Sequence, residues 1–294
     1  MPEFSGGALP ADVRFRYGEL EPPQHLAQHA VRVIVPAANG TLMYWKMIGT
    51  FLVEGGHHVT VSPVPGVDER LVRLVLTGPV LGVVLAQRGR PVFHASVVAS
   101  GHAGGAIAFM ARTGEGKSTM AAAMYKAGYH MLSDDIMPVD LNGETPLVPP
   151  GFPHTKLWSE TAAVLVDDAA ALAYLAPDYD KRSRPITERF AAAPAPLQAV
   201  FVLETGAGVH IEKLSGHQAL GALLPHWYGA LFNGQLVDIL GRERHFRETA
   251  ALAERVPVYR LTRPRCFERL PEVVDAVSAV VNQAGTSPSE AACR

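Results

Sequence analysis

Ten consecutive residues, Phe109 to Ser118, read Phe-Met-Ala-Arg-Thr-Gly-Glu-Gly-Lys-Ser. Glycines at 114 and 116 let the backbone aim successive N–H groups at phosphate oxygens. Lys117 is long enough to reach a β- or γ-phosphate, and the Ser118 hydroxyl is a ligand for Mg2+. The expected contacts to ATP are therefore Arg112, Thr113, Gly114, Glu115, Gly116, Lys117, Ser118 and Thr119. The pattern G-x-x-x-x-G-K-[ST] is departed from at its first position, where the chain has Ala111. Alanine is the smallest alternative there, so the loop is expected to survive the change. The competing reading is an ordinary glycine turn that precedes Lys-Ser.

Phosphoryl transfer also needs a metal and a group that orients or deprotonates the acceptor. The pair Asp134-Asp135 supplies two carboxylates, one to hold Mg2+ directly or through water and one to accept a hydroxyl proton. An Asp-Asp pair alone is equally at home in an exposed turn. Its position after an apolar run favours chemistry. His94 is a further catalytic candidate, although a lone histidine on a strand is commonly packed or at the surface. Lys156 and Arg182 are candidates to neutralise charge on the transferred group. Lys181 and Arg184 read as a solvated basic face. His57, His58, His210 and His226 lack metal spacing and read as structural or surface residues.

The elements that must position these groups follow from periodicity. Ala106 to Met110 is a buried strand feeding the loop, and a helix starts near Ser118 and stops at Gly128. The helix N-terminus adds partial positive charge at the loop. Val92 to Val98 reads as an adjacent strand with His94 and Ser96 on one face. Tyr129 to Leu132 is a short strand that ends in Ser133-Asp134-Asp135, Ile136 to Leu141 continues as another, and Asn142-Gly143 turns a hairpin. Prolines at 149, 150 and 153 make Val148 to Trp158 a rigid loop carrying Lys156. Helical pieces are expected at Glu160–Leu165 and Asp168–Leu175. A strand pair is expected at Ala199–Glu204 and Val209–Lys213, around Gly206-Ala207-Gly208. Further helices are expected at 216–224 and 243–253, a strand at Val256–Leu261, and a terminal helix at Pro271–Gln283.

Upstream, Val31–Val35, Leu42–Trp45, Thr50–Val53 and His58–Val61 are short β-like runs separated by Asn39-Gly40 and Gly55-Gly56. Asp68 caps a helix expected over Glu69–Gln87 with a break near Gly78-Pro79. The expected organisation is thus a small β-rich module with a helix over residues 1–88, a catalytic domain over 89–284, and a disordered tail over 285–294. Residues Met1 to Pro10 read as a loose start.

The 294 residues are 48% hydrophobic and 18% charged, enough for a sizeable core. A net charge of −2 gives no basic field for nucleic acid. The two cysteines, Cys266 and Cys293, have no metal spacing and fit a reducing cytoplasm. No signal peptide and no bilayer-spanning run is evident, so a cytoplasmic location with no membrane partner is expected.

The run His94-Ala95-Ser96, Phe109, Gly114-Glu115-Gly116-Lys117-Ser118, Gly128 and Ser133-Asp134-Asp135 resembles the catalytic domain of HPr kinase/phosphorylase. The stretch Pro150-Gly151-Phe152-Pro153 with Lys156-Leu157-Trp158 resembles a divergent branch that phosphorylates a serine of lasso-peptide precursors. The resemblance implies an α/β fold of the HPr kinase and phosphoenolpyruvate carboxykinase type, with ATP, Mg2+ and in-line transfer to a serine hydroxyl. By position, it makes Lys117 and Ser118 the phosphate and metal residues and Asp134 the general base. It leaves Asp135 to assist or hold metal, and sets His94 beside the phosphate site. Thr113 departs from the family's serine, and the family's longer signature after the aspartates is missing, which favours a peptide over HPr as acceptor. A precursor peptide is the expected partner, with free serine, another small metabolite or HPr as alternatives. A non-catalytic nucleotide-binding regulator is a further alternative, and the family leaves room for a homo-oligomer.

Overall fold

Left-handed glycines set the turns of the N-terminal unit. In this computed structural model, which describes residues 12–23, 30–101, 104–177, 179–232 and 234–285, Gly55 and Gly56 have φ of 59° and 70°. Two such residues in succession match the twist of an antiparallel pair. They join β4 (Gly49–Glu54) to β5 (His58–Pro63). With β1 (Arg14–Tyr17), β2 (Arg32–Ala37) and β3 (Gly40–Trp45) these form a five-stranded sheet in the order β1-β5-β4-β3-β2. The β2–β5 run is an antiparallel meander, and β1 lies parallel to β5. Met43, Phe51, Val53 and Val59 are fully buried. Helix α1 (Glu69–Val75) is capped by Asp68, whose carboxylate accepts the Arg70 amide at 2.8 Å. Pro79 lacks the N–H that would continue the ladder, so the chain passes through one wide turn (Leu76–Val80) into α2 (Leu81–Gln87). The expected break is a bulge, and the helix continues past it.

A second unit begins at Arg90. Its strands are β6 (Val92–Phe93), β7 (Ala95–Ala99), β8 (Ala106–Met110), β9 (His130–Ser133), β10 (Met137–Pro138), β11 (Leu147–Val148), β12 (His154–Trp158), β13 (Tyr174–Ala176), β14 (Tyr179–Pro185), β15 (Ala195–Thr205), β16 (His210–Lys213) and β17 (Val258–Arg263). Its helices are α3 (Lys117–Lys126), α4 (Ser159–Leu165), α5 (Gly216–Leu223), α6 (Gln235–Leu240), α7 (Arg242–Arg255) and α8 (Leu270–Gly285). The fold is mixed α/β. The main sheet runs β16-β17-β15-β8-β7-β9, with β11 also on β15. Strands β17, β15 and β8 are parallel, and β16, β7 and β9 are antiparallel to their neighbours.

Both faces of this sheet are covered, which is why β8 is apolar at every position. Ile107 and Phe109 pack with Met120 and Met124 of α3 and Val273 and Val277 of α8. Ala106, Ala108 and Met110 pack on the other side with Leu223, Trp227 and Leu252. The loop after β8 is therefore set at a rigid edge, with α3 on one defined side of the sheet.

Several expectations are corrected. After Pro153 the chain is not a loop: His154–Trp158 is β12, antiparallel to β14, which in turn pairs with β13. Thr155 and Leu157 are buried and alternate with less buried neighbours, the period of a half-covered strand. The alanine-rich stretch at 168–175 makes one 3-10 turn (Ala169–Ala171) and then β13. Cross-strand pairing overrides alanine's helix preference there. The charged stretch after it is β14. Strands β15 and β16 do not pair with each other, because β17 lies between them. The strand expected over 92–98 is interrupted at His94, and the one expected over 136–141 is reduced to Met137–Pro138. Helix α6 gave no usable periodic signal. The expected loose start lies outside the described residues, as does the expected tail apart from Gly285, which ends α8. Among the described residues no helix is long and apolar enough to cross a membrane.

Candidate functional site

The loop between β8 and α3 is bent by two left-handed glycines, Gly114 at φ 84° and Gly116 at φ 93°. Nothing lies within 4 Å of a Cβ built on Gly114, whereas one on Gly116 would overlap the Arg263 guanidinium. The loop also closes on itself. The Arg112 amide donates to Glu115 Oε2 at 3.1 Å, and the Glu115 amide donates to the Arg112 carbonyl at 3.2 Å. Lys117, the first residue of α3, is buried, and its Nζ donates to the carbonyls of Ala111 and Arg112 at 3.1 and 3.3 Å. Burial lowers its pKa to about 8, against the opposing pull of Asp135 and Asp134.

Two arginines that the sequence reading did not single out hold the far side of the loop. Arg265 Nη2 donates to the Gly114 carbonyl at 2.6 Å, and Arg263 Nη2 donates to the Glu115 carbonyl at 2.9 Å. In a planar trans peptide the C=O and the next N–H point in opposite directions. Arg263 on the Glu115 carbonyl therefore turns the Gly116 N–H to the opposite side of the loop.

The acid pair sits where β9 ends. Asp134 is the knot of the site. Its Oδ1 accepts from Ser96 Oγ at 2.6 Å and Ser118 Oγ at 2.9 Å, and its Oδ2 accepts from Thr155 Oγ1 and the Lys156 amide, both at 2.8 Å. One carboxylate thus ties β7, the first turn of α3 and β12. Gly151 is required beside it, because a Cβ there would meet the Ser133 side chain, and the Gly151 amide donates to the Leu132 carbonyl at 2.8 Å.

Asp135 points elsewhere. Its φ of 80° is left-handed, a conformation that aspartate tolerates better than most residues. Lys156 Nζ lies 2.9 Å from Oδ2, and His94 Nδ1 lies 3.2 Å from Oδ1 and 2.9 Å from the Asp135 carbonyl. Burial alone would raise the carboxyl pKa, but Lys156 and His94 hold it well below the usual carboxylate range. The ion pair in turn raises Lys156 against the downward pull of its own burial. His94 interrupts its strand because its amide donates to the His226 carbonyl at 2.8 Å. Its Nε2 is buried with no hydrogen-bond partner, and the Tyr228 ring stands edge-on at 6.3 Å.

Of the remaining candidates, Thr113 is exposed at the loop tip and Thr119 Oγ1 pairs with Thr161 Oγ1 at 3.2 Å. Arg182 is not brought to the acid pair. Its guanidinium is engaged by Ser159 Oγ, the Leu172 carbonyl and Tyr174 Oη, and stacks 3.6 Å from the Tyr174 ring centroid. Its neighbour Lys181, whose pKa burial lowers, feels Asp135, Asp134 and Lys156 as well. Strand alternation separates the two, and that signal became available only once residues 179–185 were known to be a strand. The contact of the Ser118 hydroxyl with the Asp134 carboxylate, next to the buried Lys117, sets two oxygen ligands of the kind hard divalent cations take beside an ammonium. Among the described residues, no three His, Cys, Asp or Glu side chains form a metal-binding group by themselves.

No family model matches the chain, and no curated protein matches it in sequence. Among solved structures it is similar to the Hpr(Ser) kinase/phosphatase from Coxiella burnetii. The likeness covers 66% of this chain and 98% of that one, at 8% sequence identity and a TM-score of 0.34.

Proposed function

We propose that the C-terminal unit is an ATP- and Mg2+-dependent kinase that transfers the γ-phosphoryl group to a serine hydroxyl, with a precursor-type peptide as the acceptor. The observation that carries this reading is the hydrogen bond from Ser118, at the start of α3, to Asp134, at the end of β9, with Asp135 next in sequence and ion-paired to Lys156. A pure phosphate binder has no need of the second acid. The residues present fit the groups: a left-handed glycine loop, a buried lysine and a hydroxyl–carboxylate pair on one edge of a rigid sheet. Bound Mg2+ would neutralise charge across the β- and γ-phosphates, and Ser118 and Asp134 are the residues that would hold it.

In this scheme Lys117 leaves its loop carbonyls for phosphate oxygens, which raises its depressed pKa toward the ordinary lysine value. The acceptor oxygen forms a bond to the γ-phosphorus as the bond to the β,γ-bridging oxygen breaks. The electron pair departs with the nucleoside diphosphate. Asp135, kept ionised by Lys156 and His94, accepts the hydrogen bond of the attacking hydroxyl and then its proton. This assignment exchanges the two aspartates relative to the split implied by the family resemblance. Its support is that all four contacts of Asp134 are structural or on the Ser118 side.

The test is a mass-spectrometric transfer assay with MgATP and a panel of acceptors: serine-containing peptides, free serine and HPr. A phosphate gain on peptides alone is the expected result. A gain on free serine alone moves the enzyme to small-metabolite kinases, and no gain on any acceptor with ATP bound overturns the kinase reading.

A further inference from the structure

Trp158 on β12 and Lys181 on β14 are direct cross-strand partners, and Lys156 pairs with Ser183 two positions along the same register. Partners opposite one another share a face, and residues two apart on a strand share one as well. Lys156, Trp158 and Lys181 therefore stand on one face of the small sheet. The 6.1 Å separation of the Trp158 and Tyr179 rings fits that placement. The two lysines differ in one respect. Lys156 is paired with Asp135 at 2.9 Å. The Lys181 ammonium lies 4.8 Å from the centroid of the Trp158 ring, and among the described residues it makes no hydrogen bond or ion pair. It is partly buried, sits in the field of both aspartates, and is felt by Lys117 across the site.

A cation removed from much of its water with three unused donors is costly unless an anion meets it. An aromatic face attracts the charge but accepts no conventional hydrogen bond, so it holds an ammonium without consuming its donors. Lysine, a compact charge on a flexible stem, can swing from such a rest to a ligand. Asp134 already accepts four hydrogen bonds and Asp135 is paired with Lys156, so neither takes a hydrogen bond from the Lys181 ammonium.

We propose that Lys181 binds the terminal phosphoryl oxygens of a nucleoside triphosphate, and that Trp158 is the rest that positions its ammonium before the nucleotide arrives. This rests on the kinase reading and specifies how that site distinguishes a triphosphate from a diphosphate. A lysine that meets only the terminal group contributes to triphosphate affinity and is neutral toward the diphosphate.

The experiment is calorimetric binding of a non-hydrolysable ATP analogue and of ADP, each with Mg2+, to the full chain and to Lys181→Met, Lys181→Arg and Trp158→Leu. Circular dichroism checks that each variant is folded. Loss of a charge-assisted hydrogen bond predicts triphosphate binding about tenfold or more weaker in Lys181→Met, with ADP unchanged within about twofold. Lys181→Arg should keep most of the discrimination, and Trp158→Leu should lose part of it. If the unaltered chain binds neither nucleotide, the kinase reading fails, and the role of Lys181 fails with it. If it binds both, and Lys181→Met binds the triphosphate as tightly as the unaltered chain or loses both nucleotides equally, only the assignment of Lys181 is overturned.

Discussion

Removing the Asp134 carboxylate should cost more stability than any other single change near the site. Asp134 accepts four hydrogen bonds, at 2.6, 2.9, 2.8 and 2.8 Å, from donors on three different elements. Hydrogen bonds to a charged group are worth roughly 1.5–3 kcal/mol each, so four sum to about 6–12 kcal/mol gross. Much of that is returned in Asp134→Ala. The Ser96, Ser118 and Thr155 hydroxyls can rotate to other acceptors, and the cost of desolvating the carboxylate disappears. The Lys156 amide cannot rotate away and is left without its acceptor. The expected net loss is about 3 kcal/mol, the low end of the range for breaking one side of a buried charged network, because Asp134 is only partly buried. Asp134→Asn is milder, because the amide oxygen can face Thr155 and the Lys156 amide while its NH2 group meets hydroxyls able to turn and accept. About 1–2 kcal/mol is expected, together with loss of transfer by about 100-fold or more, because the charge beside Ser118 is gone. Urea unfolding of the full chain, followed by fluorescence of Trp158 and Trp227, measures both variants, and Ser96→Ala with Asp134→Ala closes a double-mutant cycle. If Asp134→Ala unfolds within about 1 kcal/mol of the unaltered chain at unchanged slope, the carboxylate is not the tie between these elements, and the argument built on its contacts is wrong.

Gly116→Ala meets both a left-handed φ of 93° and the Arg263 guanidinium, so nucleotide binding should weaken by about tenfold or more. Adding Arg263→Ala should recover part of that loss by calorimetry, and no recovery would show that the strain is in the backbone alone. Arg182→Ala should lower stability by about 1–2 kcal/mol through its contacts with Ser159, Leu172 and Tyr174, while turnover changes less than about threefold. A large loss of turnover in a fully folded Arg182→Ala protein would return Arg182 to the chemistry. Burial, with Lys117, His94 and Arg112 nearby, lowers the His226 pKa from 6.5 to about 4. The unfolded chain then takes up this proton first. The stability of the neutral form is whole above pH ~6.5 and is lost as the pH falls toward ~4, by at most ~1.4 kcal/mol per pH unit and roughly 3 kcal/mol in all. His226→Leu should flatten that part of the pH–stability curve, and an unchanged slope would assign the acid sensitivity to other groups.

What the sequence made legible is the part set by local chemistry. Asn39-Gly40 and Gly55-Gly56 located turns of the first sheet, Asp68 located a helix start, and an unbroken apolar strand before Gly-Lys-Ser located the loop. What it hid depends on long-range pairing. Nothing local in Ala195–Lys213 says that a strand from residue 258 will insert between two apparent hairpin partners. The β12–β14 sheet was hidden for the same reason. Its prolines, alanines and charges each argued for something else, and only cross-strand partners make it a sheet. That omission reaches the site, because without the register nothing separates Lys181, which stands over Trp158, from Arg182, which stacks on Tyr174.

The division of labour between Asp134 and Asp135 shows the same limit at the scale of one bond. The pair lies just past β9, which ends at Ser133, so strand alternation does not assign its two sides. The sequence identifies the pair but not which member faces α3. That is decided by Ser96, Ser118 and Thr155, three hydroxyls from three elements converging on Asp134. The left-handed turn at Asp135 then carries the second carboxylate away from them to Lys156 and His94. An aspartate that accepts from three hydroxyls and a backbone amide ties elements together, and on the proposed kinase reading it is the one on the Ser118 side. An aspartate held by one ammonium and one imidazole nitrogen keeps lone pairs free for an incoming hydroxyl. On this reasoning the roles follow from the kind of donor each acid meets, which the left-handed turn at Asp135 separates.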